Sequence, residues 1–422
     1  MPAEAAPAGR VCPHLPAFDP LSDAEIEDPY PSWSEARAEA GVVYVPRIDR
    51  YVAISYGAVR EVLSNTEQLS SRDIPDVGEV PADLRDRLPD GYPLQTQALI
   101  NCDGARHTTI RRLTQQAFTV GRVNAMEPEI AELARGLADR MEGRAAVELV
   151  GDFAAPLSTI VLARMLGIPD AEAGRFRDFS DTIIGLTTLV MSAERRHELS
   201  VAAADFDDYV SELVADRRAA PGDDLISALL AARDPDSDET LSGRTVISII
   251  SQLIVAGHET TATLIANAVW LLLERRERWA ALLADRALVE PALEEALRRQ
   301  APIKHLQRTA REDVVIDGVT VPAGARLLVG YAAANTDPAA FADPLEFRLD
   351  HSAEEPHVAF GRGKHFCLGA PLARLEARIG LECLLDRFPG LALDPTDPPS
   401  RARALSVFTF ARLPLRTDAP AS

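Results

Sequence analysis

A cysteine lies in a glycine-rich loop in the last fifth of the sequence. Cys367 falls between Gly363 and Gly369 in FGRGKHFCLGAPLAR (360–374), just before an apolar helical pattern. Glycines permit positive φ angles and a close approach of the backbone to a flat ligand. A cysteine before a helix N-terminus, with cationic residues nearby, is placed to ionise to the thiolate that binds a metal. The alternative is a buried free cysteine on a glycine turn, but that alternative does not explain the Phe-x-x-Gly-x-x-x-Cys-x-Gly spacing.

A second unusual segment interrupts the longest apolar pattern of the chain. The run AlaGlyHisGluThrThr (256–261) stands inside SQLIVAGHETTATLIANAVWLLL. Gly257 costs a helix about 1 kcal/mol relative to alanine, and threonine hydroxyls can bond to the carbonyl one turn earlier and bend the helix. A helix–helix contact through small residues would explain Ala256 and Gly257 but leaves the acid Glu259 unexplained. Because these residues are unfavourable in a buried helix, the pattern predicts a functional site.

These two segments must be positioned by a mostly helical frame. The patterns predict a long helix over 243–275, a helix over 287–300, and a helix that follows the cysteine loop to about Phe388. Alternating β-branched and aromatic residues predict a hairpin over 42–55 with a turn near Asp49. We expect one large, mainly α domain with small β-sheets (α+β) over 21–416, between an N-terminal tail (1–20) and a C-terminal tail (417–422).

Charge and cysteine content exclude several classes of protein. The 422 residues carry 64 acidic and 44 basic side chains, a formal charge of −20, which argues against nucleic-acid binding. Four cysteines cannot form a disulfide scaffold for so long a chain. Cys12 and Cys383 are expected to be inert, and Cys102 with His107 is not a convincing metal spacing. The N-terminal residues show no signal or anchor pattern. We therefore expect a soluble, cytoplasmic, monomeric protein that does not bind a membrane.

Three motifs in this order resemble those of the bacterial soluble cytochrome P450 family of haem-thiolate monooxygenases. They are the helical run at 256–261, the pair Glu295 and Arg298 in EEALRR, and the cysteine loop, which matches at Phe360, Gly363, Cys367 and Gly369. The resemblance covers essentially the whole chain past the first tail. It implies the cytochrome P450 fold, with haem b held between the long central helix and the cysteine-loop helix, and Cys367 as the axial ligand of the haem iron.

The resemblance also assigns roles to other residues. Thr260 would donate a hydrogen bond to the reacting oxygen, and Glu259 would relay protons from solvent, beside an oxygen groove formed at Ala256 and Gly257. The haem propionates would be bound by His107 and Arg111, which lie four residues apart on one helix face, and by Arg308 and His365.

The pair Glu295 and Arg298 would be a buried structural ion pair that holds the cysteine loop in place. Relatives often add an arginine from the turn-rich segment that precedes the loop, but Glu346 stands at the matching position in this chain. Arg348 or His357 can substitute for the missing arginine, and both alternatives remain open.

The substrate pocket is expected above the haem. Its roof would come from 70–100, 175–200, 302–307 and 405–409, and its candidate lining residues are Val255, Ile303, Leu306, Val407 and Phe408. Gln252, two turns before Thr260, would bond to substrate, to a buried water or to another helix. A mostly apolar lining predicts a hydrophobic small molecule held by shape.

The predicted activity is insertion of one atom of O2 into such a substrate by hydroxylation, epoxidation or oxidative dealkylation. We expect the electrons to come from NAD(P)H through a separate ferredoxin and ferredoxin reductase, since the chain leaves no room for a fused reductase. A basic patch of Arg112, Arg362, Lys364, Arg374 and Arg378 would attract an acidic ferredoxin.

Two other classes are alternatives. One is a peroxide-driven peroxygenase or a non-oxygenating isomerase, and the other is a haem-based gas sensor. The first class usually lacks the acid–threonine pair, which this chain retains at Glu259 and Thr260, and a sensor needs a signalling domain. The monooxygenase prediction is therefore favoured.

Overall fold

The fold is mainly helical. A computed structural model describes residues 12–15, 22–75, 77–186, 191–349 and 355–417. The helices are α1 (Asp23–Glu27), α2 (Tyr30–Glu39), α3 (Tyr56–Ser64), α4 (Gly104–Ala117), α5 (Val120–Ala125), α6 (Glu127–Met141), α7 (Ala155–Met165), α8 (Gly174–Leu186), α9 (Ala193–Ala219), α10 (Leu225–Ala231), α11 (Gly243–Leu273), α12 (Arg276–Ala284), α13 (Val289–Arg299), α14 (Tyr331–Ala334) and α15 (Ala370–Arg387).

The strands are short and lie in small sheets. They are β1 (Val42–Val45), β2 (Arg50–Ala53), β3 (Leu69–Ser70), β4 (Ala146–Glu148), β5 (His305–Ala310), β6 (Val314–Ile316), β7 (Val319–Val321), β8 (Arg326–Gly330), β9 (Ala392–Leu393), β10 (Ser400–Arg401), β11 (Phe410–Arg412) and β12 (Pro414–Arg416). The largest sheet has the order β1-β2-β8-β5-β3. Its β2–β8 pair is parallel, and its other pairs are antiparallel.

The long helix α11 is the centre of the molecule. The Ser242 hydroxyl caps its first turn by accepting a hydrogen bond from the backbone N–H of Thr245. Its side chains are buried over Thr245–Gln252 and over most of Thr261–Leu273, and α7, α9, α13 and α15 pack around them. Burial of a largely apolar surface on several sides is what fixes the position of this helix.

The helix α11 is also long and apolar enough to cross a membrane by length and composition alone. However, 67% of its most apolar stretch is buried against the rest of the protein. A core helix of a soluble domain passes the same test, so this helix is read here as the core of the domain.

Most of the predicted elements are confirmed. The hairpin predicted over 42–55 is β1–β2, and Asp49 in its connection adopts φ 50°. The long helix predicted over 243–275 is α11, the helix predicted over 287–300 is α13, and the helix after the cysteine loop is α15.

The predicted N-terminal tail needs one correction. Residues 12–15 lie against β1, where Leu15 donates its backbone N–H to the Tyr44 carbonyl and Tyr44 donates to the Pro13 carbonyl. Cys12 is buried there. Main-chain pairing thus joins part of this segment to the sheet. At the other end of the chain, Thr417 of the predicted C-terminal tail donates its backbone N–H to the Ala145 carbonyl over 3.2 Å. The rest of the predicted tails, 1–11, 16–20 and 418–422, and residues 76 and 187–190 of the predicted pocket roof lie outside the described residues.

Candidate active site

The cysteine loop is a tight turn that ends where α15 begins. Gly361 and Gly363 adopt φ 71° and 69°, a conformation that L side chains rarely adopt, and a Cβ on Gly363 would lie 3.4 Å from the Leu63 carbonyl oxygen. The backbone N–H of Cys367 donates to the Phe360 carbonyl over 2.9 Å. These contacts place the Cys367 side chain at an accessible position just before the first turn of α15.

The surroundings of the Cys367 sulfur combine opposing effects. The dense protein around the sulfur raises the pKa of the thiol by burial, although the residue itself is accessible. Hydrogen bonds from the backbone N–H groups of Gly369 and Ala370, together with the charges of Arg111 and Arg374, act in the opposite direction. Donors of this kind stabilise a thiolate, the form that ligates iron. The loop therefore has the chemistry of a metal-binding cysteine.

The helix α11 has accessible residues in its middle, although it lies in the core of the fold. Ala256 is exposed and Thr260 is half-buried, whereas 261–269 are all buried. The Thr260 hydroxyl donates to the Ala256 carbonyl over 2.6 Å, the back-bond expected from the sequence. The helix nevertheless remains α-helical from Gly243 to Leu273. Accessible residues in the middle of a core helix mark a candidate reaction site.

Gly257 and His258 serve the packing of α11. A Cβ on Gly257 would lie 3.4 Å from the side chain of Leu162 in α7, so the small-residue contact left open by the sequence accounts for this glycine. His258 is buried, and its Nδ1 lies 2.9 Å from the Ile254 carbonyl oxygen. The Ser158 hydroxyl donates to the His258 carbonyl over 2.7 Å. His258 is thus held within the helix packing.

The carboxyl of Glu259 has a raised pKa. Burial raises the pKa of its carboxyl to about 7, and the negative charge of Asp181 on α8 adds to the rise. Among the described residues Glu259 has no ion-pair partner. At neutral pH such a carboxyl is close to half protonated, so it can both accept and donate a proton.

Basic side chains from three elements meet beside the cysteine loop. The rings of His107 and His365 lie 4.1 Å apart, and Arg111 donates to the Phe366 carbonyl over 2.7 Å. Burial and neighbouring positive charge lower the pKa of His107 to about 4 and that of His365 to about 3. Arg308 is buried on β5. The structure thus brings together all four residues that the sequence assigned to propionate binding.

This cluster fits the anionic edge of a haem. Among the described residues, no carboxylate forms an ion pair with Arg111 or Arg308, and the buried Nε2 of His107 has no hydrogen-bond partner. Burying a cation or a polar donor without a partner is costly. Two propionate groups would supply the missing acceptors. The residues present therefore fit the cofactor that the sequence resemblance implies.

Two further residues of this region were not predicted from the sequence. Tyr331 is buried, forms a side-chain hydrogen bond with Arg308, and lies close enough for Cys367 to influence its pKa. Asp103 is buried and accepts hydrogen bonds from Ser70 and Arg311, both over 2.6 Å. Asp103 directly precedes α4 and has φ and ψ angles typical of a helix cap, the one signal that could have drawn attention to it.

Glu295 and Arg298 form the expected buried ion pair. Both side chains are 3% exposed, which makes this a fully desolvated pair, and the guanidinium donates to both carboxylate oxygens over 2.8 Å. Arg298 also donates to the carbonyls of Asn335, Pro344 and Glu346. Backbone carbonyls thus accept from the guanidinium N–H groups of Arg298 that do not bond to Glu295.

The third partner of this pair comes from the main chain. Arg348 donates its backbone N–H to Glu295 over 3.1 Å, whereas His357 lies 3.1 Å from a different acid, Glu294. Of the two residues left open by the sequence, Arg348 thus contacts the pair with its backbone N–H, and His357 contacts Glu294 instead.

Glu294 also links α13 to the cysteine-loop helix. Arg374 donates to both of its carboxylate oxygens over 2.6 and 2.9 Å. Burial alone would raise the pKa of Glu294, but the hydrogen bonds from Arg374 and His357 outweigh it and lower the pKa to about 2. This bridge was not predicted, because the sequence shows charges but not which of them meet.

Two chain segments that the sequence assigned to the pocket pair with each other. Ile303 and Val407 form an isolated β-bridge, and both are half-buried. Leu306 and Val255 are half-buried as well. These four aliphatic residues occupy positions compatible with a substrate pocket.

Phe408 and Gln252 lie elsewhere than predicted. Phe408 is 2% exposed, which removes it from any pocket surface, and the Arg401 guanidinium lies 4.4 Å from the centre of its ring. Successive side chains on an extended segment point to opposite sides, so Val407 can border the pocket only if Phe408 turns away. The Gln252 amide accepts from the backbone N–H of Ile100 and donates to Asn101. Its polar groups therefore hold the 98–101 loop rather than a substrate.

The predicted basic patch is largely neutralised. Arg374 is paired with Glu294, Arg378 with Glu127 and Glu382, and Arg112 with Asp234 and Asp236. Arg362 and Lys364 are exposed and have no carboxylate partner among the described residues. Of the five residues predicted for the patch, these two therefore keep an exposed charge without a carboxylate partner among the described residues.

Comparison with known proteins agrees with this geometry. The family model "Cytochrome P450" matches residues 44–285 and 280–416. The chain is 38% identical over 400 residues to nocardicin C N-oxygenase of Nocardia uniformis subsp. tsuyamanensis, covering 92% of this chain and 95% of that protein. It is 35% identical over 409 residues to 6-deoxyerythronolide B hydroxylase of Saccharopolyspora erythraea, covering 94% and 98%. The crystal structure of CYP109E1 from Bacillus megaterium with testosterone superimposes with a TM-score of 0.80 at 30% identity, covering 93% and 100%.

Proposed function

The chain belongs to the cytochrome P450 family, and we propose that it oxygenates bulky, uncharged aliphatic molecules, with Glu259 and Thr260 as its proton-delivery pair. It is a haem-thiolate monooxygenase that uses haem b and O2, with electrons derived from NAD(P)H through redox partners, and it has the cytochrome P450 fold. When bound, the haem supplies the activation of oxygen. The proposal concerns what the residues of this chain contribute.

The observation that carries the proposal is the pair of half-buried polar residues in the middle of α11. The Glu259 carboxyl has a pKa of about 7 and can exchange protons at neutral pH. The Thr260 hydroxyl, now donating to the Ala256 carbonyl, can rotate to hold a proton for the reacting oxygen. Cleavage of an O–O bond needs protons delivered in the right order. An isomerase or a peroxide-driven enzyme does not need such a pair, and its retention favours the monooxygenase.

The residues that would bind the haem fall into two groups, one at the iron and one at the propionates. Cys367 would ligate the iron, and the backbone N–H groups of Gly369 and Ala370 would hold its sulfur as the thiolate. Arg111, Arg308 and the two histidines would bind the propionates by charge and hydrogen bonding.

The lining residues support the substrate class. Ile303, Leu306, Val407 and Val255 are aliphatic and half-buried. Such side chains select by shape and offer no partner to a charged group. Of the related proteins, CYP109E1 was solved with testosterone, a bulky and mostly aliphatic molecule. A large uncharged substrate is the chemistry that fits.

The proposed electron donor is an acidic ferredoxin served by its reductase. It would dock beside Arg362 and Lys364, the two exposed cations next to the cysteine loop. Attraction between opposite charges raises the association rate, and added salt weakens it. We also propose that the protein works in the cytoplasm, as a monomer.

The substrate proposal is tested by a spectral-shift screen. The haem-loaded protein is titrated with testosterone, with other uncharged polycyclic compounds and with charged analogues matched in size. The expected result is a shift of the haem spectrum, by displacement of the iron-bound water, for the uncharged compounds only. A shift confined to charged compounds would contradict the substrate class.

The docking proposal has a matched pair of variants. Lys364→Gln should slow reduction by ferredoxin and flatten its dependence on ionic strength, because an unpaired charge is lost. Arg112→Gln is the control, because Arg112 is already paired with Asp234 and Asp236. Equal effects of both variants on the reduction rate would refute the assignment of the docking surface.

A further inference from the structure

The catalytic helix is tied to the pocket turn by a buried amide. Asn267 lies on α11 and is fully buried. Its Nδ2 donates to the carbonyl of Gln300 and to the carbonyl of Phe408, each over 3.1 Å. Its Oδ1 accepts from the Gln300 side chain over 2.6 Å. One side chain thus joins α11, the end of α13 and the segment 402–409, called here the pocket turn.

Asn267 lies on nearly the same face of α11 as Thr260. It follows Thr260 by seven positions, which is two turns of helix and nearly the same face. Between them, Thr263 donates its hydroxyl to Thr409 over 2.8 Å. The helix that carries Thr260 therefore holds the pocket turn at two successive points, both of them buried.

The pocket turn is also hydrogen-bonded to the chain before β5. The backbone N–H of Phe408 donates to the Pro302 carbonyl over 2.8 Å, and that of Lys304 donates to the Ser406 carbonyl over 2.7 Å. These bonds flank the bridge between Ile303 and Val407. The position of Val407 is therefore set jointly by residues 302–304, just before β5, and by α11.

Arg401 reinforces the same junction. Its guanidinium lies 3.6 Å from the ring centre of Phe410, 4.4 Å from that of Phe408 and 5.0 Å from that of Trp270. It also donates to the Oδ1 of Asn267 over 3.3 Å. A cation enclosed by aromatic faces is held without a carboxylate. This packing keeps the pocket turn from moving away from the amide.

We propose that Asn267 is a positioning residue that fixes the distance between Val407 and the helix bearing Thr260, and thereby determines how large a molecule the pocket admits in a productive position. The proposal rests on the proposed function, because it concerns the same pocket. Asn267 acts through the pocket turn, since its own side chain is buried and its amide groups are committed to the protein.

The test uses Asn267→Asp, which removes the two donated bonds and keeps the shape of the side chain. Thr263→Val is the second variant, because it removes the other contact of α11 with the pocket turn without introducing a charge. Ser251→Ala is the matched control. Ser251 is a buried polar residue of the same helix, and among the described residues its hydroxyl bonds only to the Ile247 carbonyl of that helix.

The probes are two azoles of different size. Both ligate haem iron through an azole nitrogen, and clotrimazole differs from imidazole by carrying a bulky aromatic group that would need the space beside Val407. Both variants should weaken clotrimazole binding by about tenfold, the effect of one or two lost hydrogen bonds. The dissociation constant of imidazole should stay within about twofold of the wild type, as should both constants in Ser251→Ala. An unchanged ratio of the two constants in both variants would overturn the proposal.

Amide hydrogen exchange gives a readout that does not need haem. Peptides covering 402–410 should exchange faster in Asn267→Asp and Thr263→Val than in Ser251→Ala. If wild-type protein gives no imidazole spectrum, the proposed function fails, and hydrogen exchange still decides whether Asn267 holds the turn. If Asn267→Asp does not fold, Thr263→Val decides the outcome, and unchanged exchange in that variant counts against the proposal.

Discussion

The charge of Asp181 should raise the pH at which the proton relay stops. The pKa of Glu259 rises from 4.5 to about 7, mainly through burial and further through Asp181. Each pKa unit corresponds to about 1.4 kcal/mol, so the protein disfavours the ionised carboxyl by about 3 kcal/mol. Asp181 is exposed, so its share is the smaller one. Asp181→Asn should lower the pKa of Glu259 by about half a pH unit to one unit, the effect of one charge acting through a high effective dielectric.

The assay is product formation per haem, with saturating substrate and reduced ferredoxin, from pH 5.5 to pH 9. A relay that donates from the protonated carboxyl loses rate as the pH rises through about 7. The midpoint of that loss should move to lower pH in Asp181→Asn, and it should disappear in Glu259→Gln. Raising the ionic strength of the wild type should shift the midpoint in the same direction, since salt screens an exposed charge.

The matched control is Asp178→Asn on the same helix. Asp178 is also exposed but is not among the groups that shift the pKa of Glu259. The pH midpoint of the rate in Asp178→Asn should equal that of the wild type. If the midpoint moves equally in Asp178→Asn and Asp181→Asn, the shift is a general effect of surface charge. If the rate of Glu259→Gln still falls with a midpoint near pH 7, the role of this carboxyl is refuted.

Three other outcomes are expected. Reduced protein with carbon monoxide should show the absorption band that names the family, and Cys367→Ala should abolish it; a retained band would show that another residue ligates the iron. Thr260→Ala should keep consuming electrons but release them as hydrogen peroxide, measured as the ratio of peroxide to product, and unchanged coupling would contradict the role of its hydroxyl. Glu295→Gln should lower the free energy of unfolding by about 3–5 kcal/mol in denaturant titrations, because it leaves the buried Arg298 charge uncompensated; a loss below 1 kcal/mol would contradict this account.

Features that depend on local pattern were predictable from the sequence. The periodicity of 243–275 predicted α11, and the spacing around Cys367 singled out a loop whose glycines do adopt positive φ. The parallel pairing of β2 with β8 was not predictable in this way, because it joins segments more than 270 residues apart. Periodicity also could not decide which of Val407 and Phe408 turns inward, since both are apolar and adjacent.

The charged residues also show this difference: the sequence gives their number and positions, and the fold determines which of them pair. The sequence counts arginines, but only the structure shows that Arg374 meets Glu294, 80 positions away. The prediction of a five-residue basic patch failed for this reason. The Gln252 prediction went wrong in a related way, because helical spacing gives the face of a residue but not the loop that packs on it.

The distribution of paired and unpaired cations links cofactor binding to the stability of this fold. In a chain with a formal charge of −20, acids are available to neutralise almost any arginine. Arg112, Arg298, Arg374 and Arg378 are all paired in this way. Arg111 and Arg308 remain without a carboxylate among the described residues, although burial lowers the pKa of Arg111 and thus disfavours its charge. A site that keeps unpaired cations close together binds anions at the expense of its own stability. A group that supplies two carboxylates there stabilises the folded chain by its own binding free energy. Replacing either arginine is therefore expected to change both the affinity for haem and the free energy of unfolding of the haem-bound protein.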